Sequence, residues 1–332
     1  MWFLSAVLGL AVLAGFGARM AQSQANGQTV PSTPASPQLV WIDTDIGDDI
    51  DDAFALALIL RSPELKVIGI STAFGDTETR ARLVDRFLAA TAEKGVPVAI
   101  PVTAGVHTET DNAMTQRAYA ERFPPHTHAD GVAALVEAIR QHPGEVTLIA
   151  IGPLFNIGAA IDRDPVIFRK LRRVVMMGGS IYRGYDGKNG EHRPADAEWN
   201  VLQDPNGAAK LFTSGVPIFM MPLDSTQIHL ETAQRQSLFA AGNLLTAQLE
   251  TLYKEWSANA SSHPVTPTLF DPVAAAFTFH PEICPTTPMR IQVDAKGMTH
   301  AVEGQPNAEV CLKSDETAFL KLLEGRLTRA GN

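Results

Sequence analysis

Short apolar runs rich in β-branched residues alternate along this chain with amphipathic stretches of helical length. The runs predict strands and the stretches predict helices, because each shows the hydrophobic period of its element. Strands are predicted over 39–43, 66–74, 98–103, 146–151, 173–178 and 216–222, and helices over 51–60, 77–94 and 130–141. This alternation is typical of an α/β fold, in which helices cover both faces of a mostly parallel central sheet.

The C-terminal part of the chain continues with elements of both kinds. They are a long helical pattern over 231–260, a helix from Asp271, strands over 288–294 and 308–312, and a closing helix over 315–325. No internal repeat and no linker divides the sequence after residue 38. A single folded domain is therefore predicted over 39–330.

The first 25 residues are predicted to be a signal peptide. Residues 2–18 are uncharged and apolar, and small residues that suit a cleavage site follow before residue 25. An uncleaved membrane anchor is the alternative, since an apolar run of this length also suits a short anchor. Residues 26–38 are uncharged and rich in Pro, Ser and Thr, which predicts a flexible linker. We expect a periplasmic or secreted protein with no membrane association after cleavage.

Charge and cysteine usage exclude two classes of protein. The chain has 27 Lys and Arg against 36 Asp and Glu, a formal net charge of −9. Nucleic acids bind to basic surfaces, so no nucleic-acid partner is expected. The only cysteines are Cys284 and Cys311, which excludes a scaffold of disulfides. These two residues either pair with each other, if the chain is exported, or remain as buried thiols.

The strongest local signal is a cluster of aspartates directly after the first predicted strand. Six of the ten residues over 43–52 are Asp. So many carboxylates at one turn require exposure, protonation or a cation. A cluster without His or Cys suits a hard cation, Ca²⁺ first and Mg²⁺ second. The glycine motifs of phosphate-binding and dinucleotide-binding loops are absent here, because Gly47 is the only glycine at this turn.

The segment DTDIGDDIDDAFALAL, over 43–58, resembles the N-terminal signature of the inosine–uridine-preferring nucleoside hydrolases. The resemblance implies a Ca²⁺-dependent enzyme that cleaves the N-glycosidic bond of ribonucleosides. It implies that Asp45 is both a metal ligand and the general base. Two extra residues follow Gly47, so Asp51 and Asp52 match the final Asp pair of the signature. Asp49 then competes for a position that faces the metal.

Three later segments resemble the same family, and each follows a predicted strand or opens a predicted helix. They are Gly-Pro-Leu-Phe-Asn-Ile over 152–157, Ala-Glu-Trp-Asn over 197–200 and Leu-Phe-Asp-Pro-Val-Ala over 269–274. By resemblance, the main-chain carbonyl of Phe155 coordinates Ca²⁺. Glu198 and Asn200 hold the ribose hydroxyls, which need placed donors and acceptors. Asp271 both binds the metal and reaches the ribose.

The chain departs from the family pattern at three positions that bear on the substrate. Phe270 stands where some members have a His that protonates the leaving base. His192 replaces an Asn of the ribose site, and Asp76, after Gly75, replaces a second Asn near the sugar. The proton donor is left open among His128, His192, His263 and Tyr253. Tyr253 and Trp256 also share one helical face, which suits either core packing or contact with a nucleobase.

The implied site has one residue set for each role. Catalysis rests on Asp45, the metal set is Asp45, Asp52, Phe155 and Asp271, and the substrate set is Asp51, Asp76, Glu198, Asn200 and Asp271. The implied products are a free base and ribose. The family also implies a homodimer or a homotetramer.

Two other functions remain open from the sequence. The same site could hydrolyse another N-riboside, such as a modified nucleoside or nicotinamide riboside, because the leaving-group position is altered. The chain could instead be a Ca²⁺-dependent nucleoside-binding protein without catalysis, although the presence of Asp45 argues against this. A panel of substrates separates these alternatives.

Overall fold

The computed structural model describes residues 36–92, 100–109, 114–187, 190–259 and 265–329. The predicted signal peptide, most of the predicted linker and parts of the predicted elements over 77–94 and 98–103 lie outside these residues. The strands are β1 (Gln38–Thr44), β2 (Leu65–Thr72), β3 (Val102–Ala104), β4 (Ala129–Asp130), β5 (Thr147–Ile151), β6 (Arg173–Met177), β7 (Ile218–Met221), β8 (Thr286–Val293), β9 (Thr299–Val302) and β10 (Ala308–Cys311).

Helices follow most of the parallel strands. They are α1 (Asp51–Leu60), α2 (Thr77–Thr91), α3 (Arg117–Glu121), α4 (Gly131–Gln141), α5 (Phe155–Arg163), α6 (Pro165–Phe168), α7 (Trp199–Gln203), α8 (Pro205–Thr213), α9 (Leu223–Thr226), α10 (Thr232–Ala240), α11 (Leu244–Ala258), α12 (Phe270–Phe277) and α13 (Glu316–Leu327), with one 3₁₀ turn at Pro281–Ile283. Within the described part of the chain, none of these helices is both long enough and apolar enough to cross a membrane.

All ten strands form one sheet in the order β4-β3-β2-β1-β5-β6-β7-β10-β8-β9. Every neighbouring pair from β4 to β10 is parallel, and β8 and β9 add an antiparallel edge. The prediction of an α/β fold with a mostly parallel central sheet is confirmed. The antiparallel edge is longer than predicted, because β9 returns from β8 through a turn at Gly297, whose φ is +79°.

The central strands are buried on both faces, and their alternate side chains enter two separate cores. In β5, Leu148 and Ala150 pack in one core, whereas Ile149 and Ile151 pack in the other. The first of these cores contains α4, α5 and α8, and the second contains α1, α11 and α12. Successive strand residues point to opposite faces, so a continuous apolar run serves both cores.

The single long helix predicted over 231–260 is two helices in the structure. The pattern over 231–260 is divided into α10 and α11 by Gly242, whose φ is +64°. Asn243 then begins α11 as its N-cap, because its side chain accepts a hydrogen bond from the Thr246 N–H at 2.9 Å. A left-handed glycine followed by an Asn cap ends one helix and starts the next.

The register of the sheet brings several chain segments to one edge. Thr44, the last residue of β1, pairs with Thr72 of β2 and with Ile151 of β5. The residues that follow these three strands therefore leave the sheet side by side at its carboxyl edge. This edge is where open parallel sheets bind their ligands.

The two cysteines are joined to each other. Cys284 and Cys311 form a disulfide, with their Cα atoms 5.6 Å apart. Both side chains are fully buried in the same core as α12 and α13. Of the two alternatives open from the sequence, the structure has the disulfide, which ties the segment after α12 to β10.

Candidate active site

A buried hydrogen-bond network lies under the carboxyl ends of β1 and β2. The Trp41 indole N–H donates to the Ser71 hydroxyl at 2.9 Å, and that hydroxyl donates to the Asp43 carboxyl. Asn156 also donates to Asp43, at 2.7 Å, and to the carbonyl of Thr72, at 3.0 Å. Burial raises the pKa of Asp43 to about 6, although these hydrogen bonds oppose the shift. Asp43 therefore positions the strand ends and does not line the cleft described below.

The acidic turn over 45–50 is held by one buried arginine. The Arg80 side chain is 3% exposed and donates from Nε to the carbonyl of Phe74 at 2.7 Å. Its Nη1 donates to the carbonyls of Asp45 and Ile46, and its Nη2 pairs with Asp48 at 2.7 Å. The turn is thus compatible with many aspartates because its carbonyls and one carboxylate share a single guanidinium.

Three aspartates form a tight group at the ends of two helices. Asp51 and Asp52 lie in the first turn of α1, and Asp271 lies in the first turn of α12. Their carboxylate oxygens lie within 4.8 Å of one another, and all three residues are buried. The Asp271 N–H donates to Asp51 at 3.1 Å. Burial, together with the charges of neighbouring aspartates, raises the pKa of each carboxyl well above its usual range.

Asp45 and Asp49 face the same space as this group. Burial raises the pKa of Asp45 to about 7, Arg80 opposes the shift, and the charges of Asp48 and Glu198 add to it. Burial also raises the pKa of Asp49 to about 6. A nearby cation lowers the pKa of each of these carboxyls, because it favours the ionised form.

The donor set fits a hard metal ion. Asp51, Asp52 and Asp271 supply only carboxylate oxygen, which is the ligand that Ca²⁺ and Mg²⁺ prefer. Asp52 is additionally oriented by the Thr44 hydroxyl, which donates to its carboxylate. The group differs from the predicted metal set, since it contains Asp51, which was assigned to the ribose, and does not contain Asp45.

The opposite wall of the site begins with Glu198 at the N-cap of α7. Its carboxylate accepts hydrogen bonds from the backbone N–H groups of Gly179 at 2.8 Å, Asn200 at 2.9 Å and Val201 at 3.2 Å. Burial raises the pKa of Glu198 to about 7, against the effect of these bonds. The Asn200 amide donates to the Met177 carbonyl at 3.2 Å. Both side chains are therefore held rigidly at the end of β6.

These groups line one cleft of about 290 Å³. Its lining residues are Asp45, Asp48, Asp49, Asp51, Asp52, Ile151, Met177, Tyr185, Glu198, Trp199, Asn200, Phe270 and Asp271. The predicted residues Asp45, Asp51, Asp52, Glu198, Asn200 and Asp271 thus come together, although they are far apart in the sequence. Carboxylates, an amide and apolar side chains thus line a space of small-molecule size.

Two predicted site residues do not line this cleft. Asp76 caps α2, where it accepts from the Thr79 N–H at 3.1 Å and pairs with Arg117 at 3.0 Å. Phe155 begins α5, and its ring stacks on Phe74 at 6.3 Å between centroids. The roles of Asp76 in substrate binding and of the Phe155 carbonyl in metal binding stay predictions.

Aromatic side chains complete the cleft, and Tyr185 is the one among them that the sequence did not single out. Tyr185 packs edge-on against Phe270, with 6.1 Å between ring centroids, and its hydroxyl accepts from the Trp199 N–H at 2.9 Å. Trp199 in turn packs edge-on against Phe74 at 5.7 Å. Phe74 has a φ of +66°, a strained value for a non-glycine residue, and such strain is common at functional sites.

Three of the four proton-donor candidates from the sequence do not line the cleft. His128 binds Glu78 and Asp85, and His192 is exposed beside Asp186. The Tyr253 hydroxyl donates to the Val265 carbonyl at 3.1 Å, and its ring packs against Trp256 at 5.9 Å, so packing explains this pair. His263 lies outside the described residues. Tyr185 lines the cleft instead, and its position as an aromatic residue in a long polar loop is the sequence signal that could have found it.

The sequence matches the model of one protein family over residues 40–321, and that model describes inosine-uridine preferring nucleoside hydrolases. The chain belongs to this family. It is therefore an N-glycosyl hydrolase, a ribonucleoside hydrolase by family, and the interpretation as a non-catalytic binding protein is set aside. The segment over 43–58, which resembles the family's signature, contributes Asp45, Asp51 and Asp52 to the cleft.

Individual relatives agree with the family and differ in their preferred base. The chain is 31% identical to the pyrimidine-specific ribonucleoside hydrolase RihA of Citrobacter koseri, over 87% of this chain and 97% of that protein. RihA of Escherichia coli is 30% identical over the same shares. Among solved structures, a plant nucleoside hydrolase, PpNRh1, has a TM-score of 0.75 at 24% identity and covers 89% of this chain and all of its own. A purine-preferring ribonucleoside hydrolase from Gardnerella vaginalis has a TM-score of 0.72 at 24% identity over 88% of this chain and 98% of its own.

Proposed function

We propose that this nucleoside hydrolase is an exported, Ca²⁺-dependent enzyme that converts ribonucleosides to free base and ribose. The observation that carries the proposal is the cleft itself. Four buried carboxylates, from Asp45, Asp51, Asp52 and Asp271, line it together with Glu198, Asn200 and the half-buried Asp49. A polyhydroxylated sugar and a divalent cation both need such a concentration of oxygen donors.

The metal set that we propose combines the geometric group with the family resemblance. Asp52 and Asp271 belong to both, Asp51 comes from the geometry, and Asp45 with the Phe155 carbonyl comes from the resemblance. When bound, Ca²⁺ lowers the pKa of a coordinated water and compensates the negative charge of the carboxylates. Ca²⁺ is preferred to Mg²⁺ because a crowded set of carboxylates gives the high and flexible coordination number that Ca²⁺ takes.

Asp45 is the general base in this mechanism. Asp45 lines the cleft as an acidic side chain that can act on the attacking water when it is ionised, and a bound cation favours that ionised form. It removes a proton from the attacking water, and the water oxygen forms a bond to C1′ of the ribose while the C1′–N bond to the base breaks. The neighbouring carboxylates stabilise the positive charge that develops on the ribosyl ring.

The ribose is oriented by the two rigid walls. Glu198 and Asn200 bind hydroxyls from one side, and Asp51 and Asp271 bind them from the other. Both Glu198 and Asn200 are fixed by backbone hydrogen bonds, so little entropy is lost when the sugar binds. Asp76 remains a weaker candidate, since it lies at the start of α2 outside the lining.

Tyr185 is the proton donor that we propose for the leaving base. Its hydroxyl already accepts the Trp199 N–H, which leaves its own proton free to be donated into the cleft. The side chain is protonated at neutral pH, although burial and the charge of Glu198 raise its pKa and so make Tyr185 a weaker acid than an exposed tyrosine. Phe270 contacts the Tyr185 ring and has no proton to give.

Phe270 is the one observation that favours a second substrate class, because it stands at the leaving-group position and cannot donate a proton. A cationic N-riboside such as nicotinamide riboside releases a neutral base, and that departure needs no acid. Hydrolysis of nicotinamide riboside in strong preference to uridine and inosine would support this alternative. Comparable turnover of the ordinary nucleosides would support the main proposal.

Export is supported by two features of the chain. The apolar segment over 2–18 suits a signal peptide, and the disulfide between Cys284 and Cys311 is stable in an oxidising compartment. A periplasmic or secreted location follows, with salvage of external nucleosides as the role. A homodimer or homotetramer remains the expectation from the family.

The direct test is hydrolysis of uridine, cytidine, inosine and adenosine by the purified protein, with added Ca²⁺ and after chelation. We expect free base to appear only with the metal present. The named relatives differ in base preference, so the panel contains both purines and pyrimidines. Turnover that is unchanged after complete chelation would contradict the metal dependence, and no turnover of any riboside would contradict the substrate class.

A further inference from the structure

A second group of metal-ligating side chains lies between α2 and the segment that follows α3, and none of its members lines the cleft. It consists of Asp85, His126 and His128, whose ligand atoms lie within 4.8 Å of one another. The Asp85 carboxylate is 2.8 Å from Nε2 of His128 and 3.2 Å from Nε2 of His126. The two imidazole rings are 4.3 Å apart between centroids. Three donor atoms therefore converge on one point.

The second nitrogen of His128 is held by another carboxylate. Its Nδ1 lies 2.6 Å from the carboxylate of Glu78, and the His128 side chain is 2% exposed. A proton on Nδ1 that is donated to Glu78 leaves the Nε2 lone pair directed at Asp85 and His126. Histidine ligands of metals are typically oriented in this way, by a carboxylate on the nitrogen that does not bind the metal.

The backbone that carries the two histidines is itself fixed to α2. Glu78, Arg82 and Asp85 follow one another at spacings of four and three residues, which places them on one face of the helix. Arg82 donates to the carbonyl of Glu121 at 2.6 Å and to that of Phe123. The segment that leads to His126 is thus positioned before any ion binds.

We propose that Asp85, His126 and His128 bind a Zn²⁺ ion. Two imidazoles and one carboxylate suit a borderline cation such as Zn²⁺ better than Ca²⁺, which prefers oxygen alone. Three protein ligands leave a fourth position for water. The His126 side chain is 50% exposed, which gives an ion access to the site from solvent. The bound ion would fasten the segment over 121–128 to α2.

The test is a titration of the purified full chain with Zn²⁺ in the presence of saturating Ca²⁺, so that the carboxylate group of the cleft is already occupied. We expect one equivalent of Zn²⁺ to bind and the thermal unfolding temperature to rise. His126→Ala and Asp85→Asn should each lose this equivalent. Co²⁺ in place of Zn²⁺ should give the visible absorption of a site with nitrogen ligands, and His126→Ala should abolish it.

A matched control is His300→Ala. His300 is 49% exposed and pairs with Asp294 at 3.0 Å, but it is not part of the three-ligand group. This variant should bind Zn²⁺ like the parent chain. Unfolding of His126→Ala without metal should match that of the parent, which shows that the variant is folded. Failure of the parent chain to bind Zn²⁺, or equal binding by His126→Ala, would overturn the proposal, whatever the result with nucleosides.

Discussion

The carboxyl groups of the cleft are buried together, and each one raises the pKa of the others. Asp45, Asp51, Asp52 and Asp271 are buried close to one another, and Arg80 is directed mainly at backbone carbonyls and Asp48. Each added negative charge raises the pKa of its neighbours, so these residues titrate as a group. Substitution of one member consequently changes the charge of the whole site as well as removing one side chain.

Asp45→Asn tests the general base. The amide has nearly the same shape as the carboxyl but does not take a proton from water. We expect kcat to fall by about 10²–10⁴-fold, with the unfolding temperature unchanged or raised, because one buried charge is removed. Steady-state hydrolysis of the best nucleoside measures the loss. A variant with nearly full kcat would remove Asp45 from this role.

Tyr185→Phe tests the proton donor. The variant keeps the ring that contacts Phe270 and removes only the hydroxyl. We expect kcat for nucleosides to fall by about 10²-fold, because their bases leave poorly without a proton. p-Nitrophenyl riboside, whose leaving group needs no acid, should be hydrolysed at nearly the parent rate. Tyr182→Phe is the matched control, since Tyr182 lies in the same loop and is 64% exposed. An equal loss on both substrates would assign Tyr185 to positioning alone.

At the scale of elements, the sequence predicted those site residues that follow a strand closely along the chain. Asp45, Asp51 and Asp52 follow β1 directly, and the carboxyl end of a parallel strand is a general ligand position. Arg80 and Tyr185 were not predicted, because their roles depend on contacts between distant segments. Arg80 has the ordinary spacing of a surface residue on α2, and only the fold directs it under the acidic turn. The hairpin of β8 and β9 was missed in part because β9 has only four residues.

The disulfide is the clearest covalent tie between elements. It links Cys284, after α12, to Cys311 at the end of β10, across 27 residues of sequence. Replacing both cysteines with Ser should lower the free energy of unfolding by about 2–5 kcal/mol, because the unfolded chain gains freedom and two polar groups enter a core. Denaturant unfolding of the double variant, compared with that of the parent under reducing and oxidising conditions, measures this. No difference between the oxidised and reduced parent would contradict a stabilising disulfide.

At the scale of the whole molecule, metal binding and folding are coupled through protons. Burial raises the pKa of Asp45 to about 7 and that of Asp49 to about 6, from an ordinary value of about 4. A carboxyl whose pKa is raised on folding stabilises the fold below its ordinary pKa. That contribution is lost as the pH rises through the raised value. Without metal, the free energy of unfolding therefore falls as the pH rises from about 4 to about 7, and it does not recover above that range.

A bound cation reverses the effect of these carboxyls, because it binds their ionised form and releases their protons. We expect the rise in unfolding temperature on adding Ca²⁺ to be small at pH 5 and to increase steadily to pH 7.5. The unfolding temperature is measured at each pH for protein stripped of metal and for the same protein after Ca²⁺ is added. The titration of distant groups affects both samples equally and cancels in the difference. Asp52→Asn should lose most of the increase, since it removes a member of the three-aspartate group. A rise that is equal at all pH values would mean that Ca²⁺ does not bind these carboxyls.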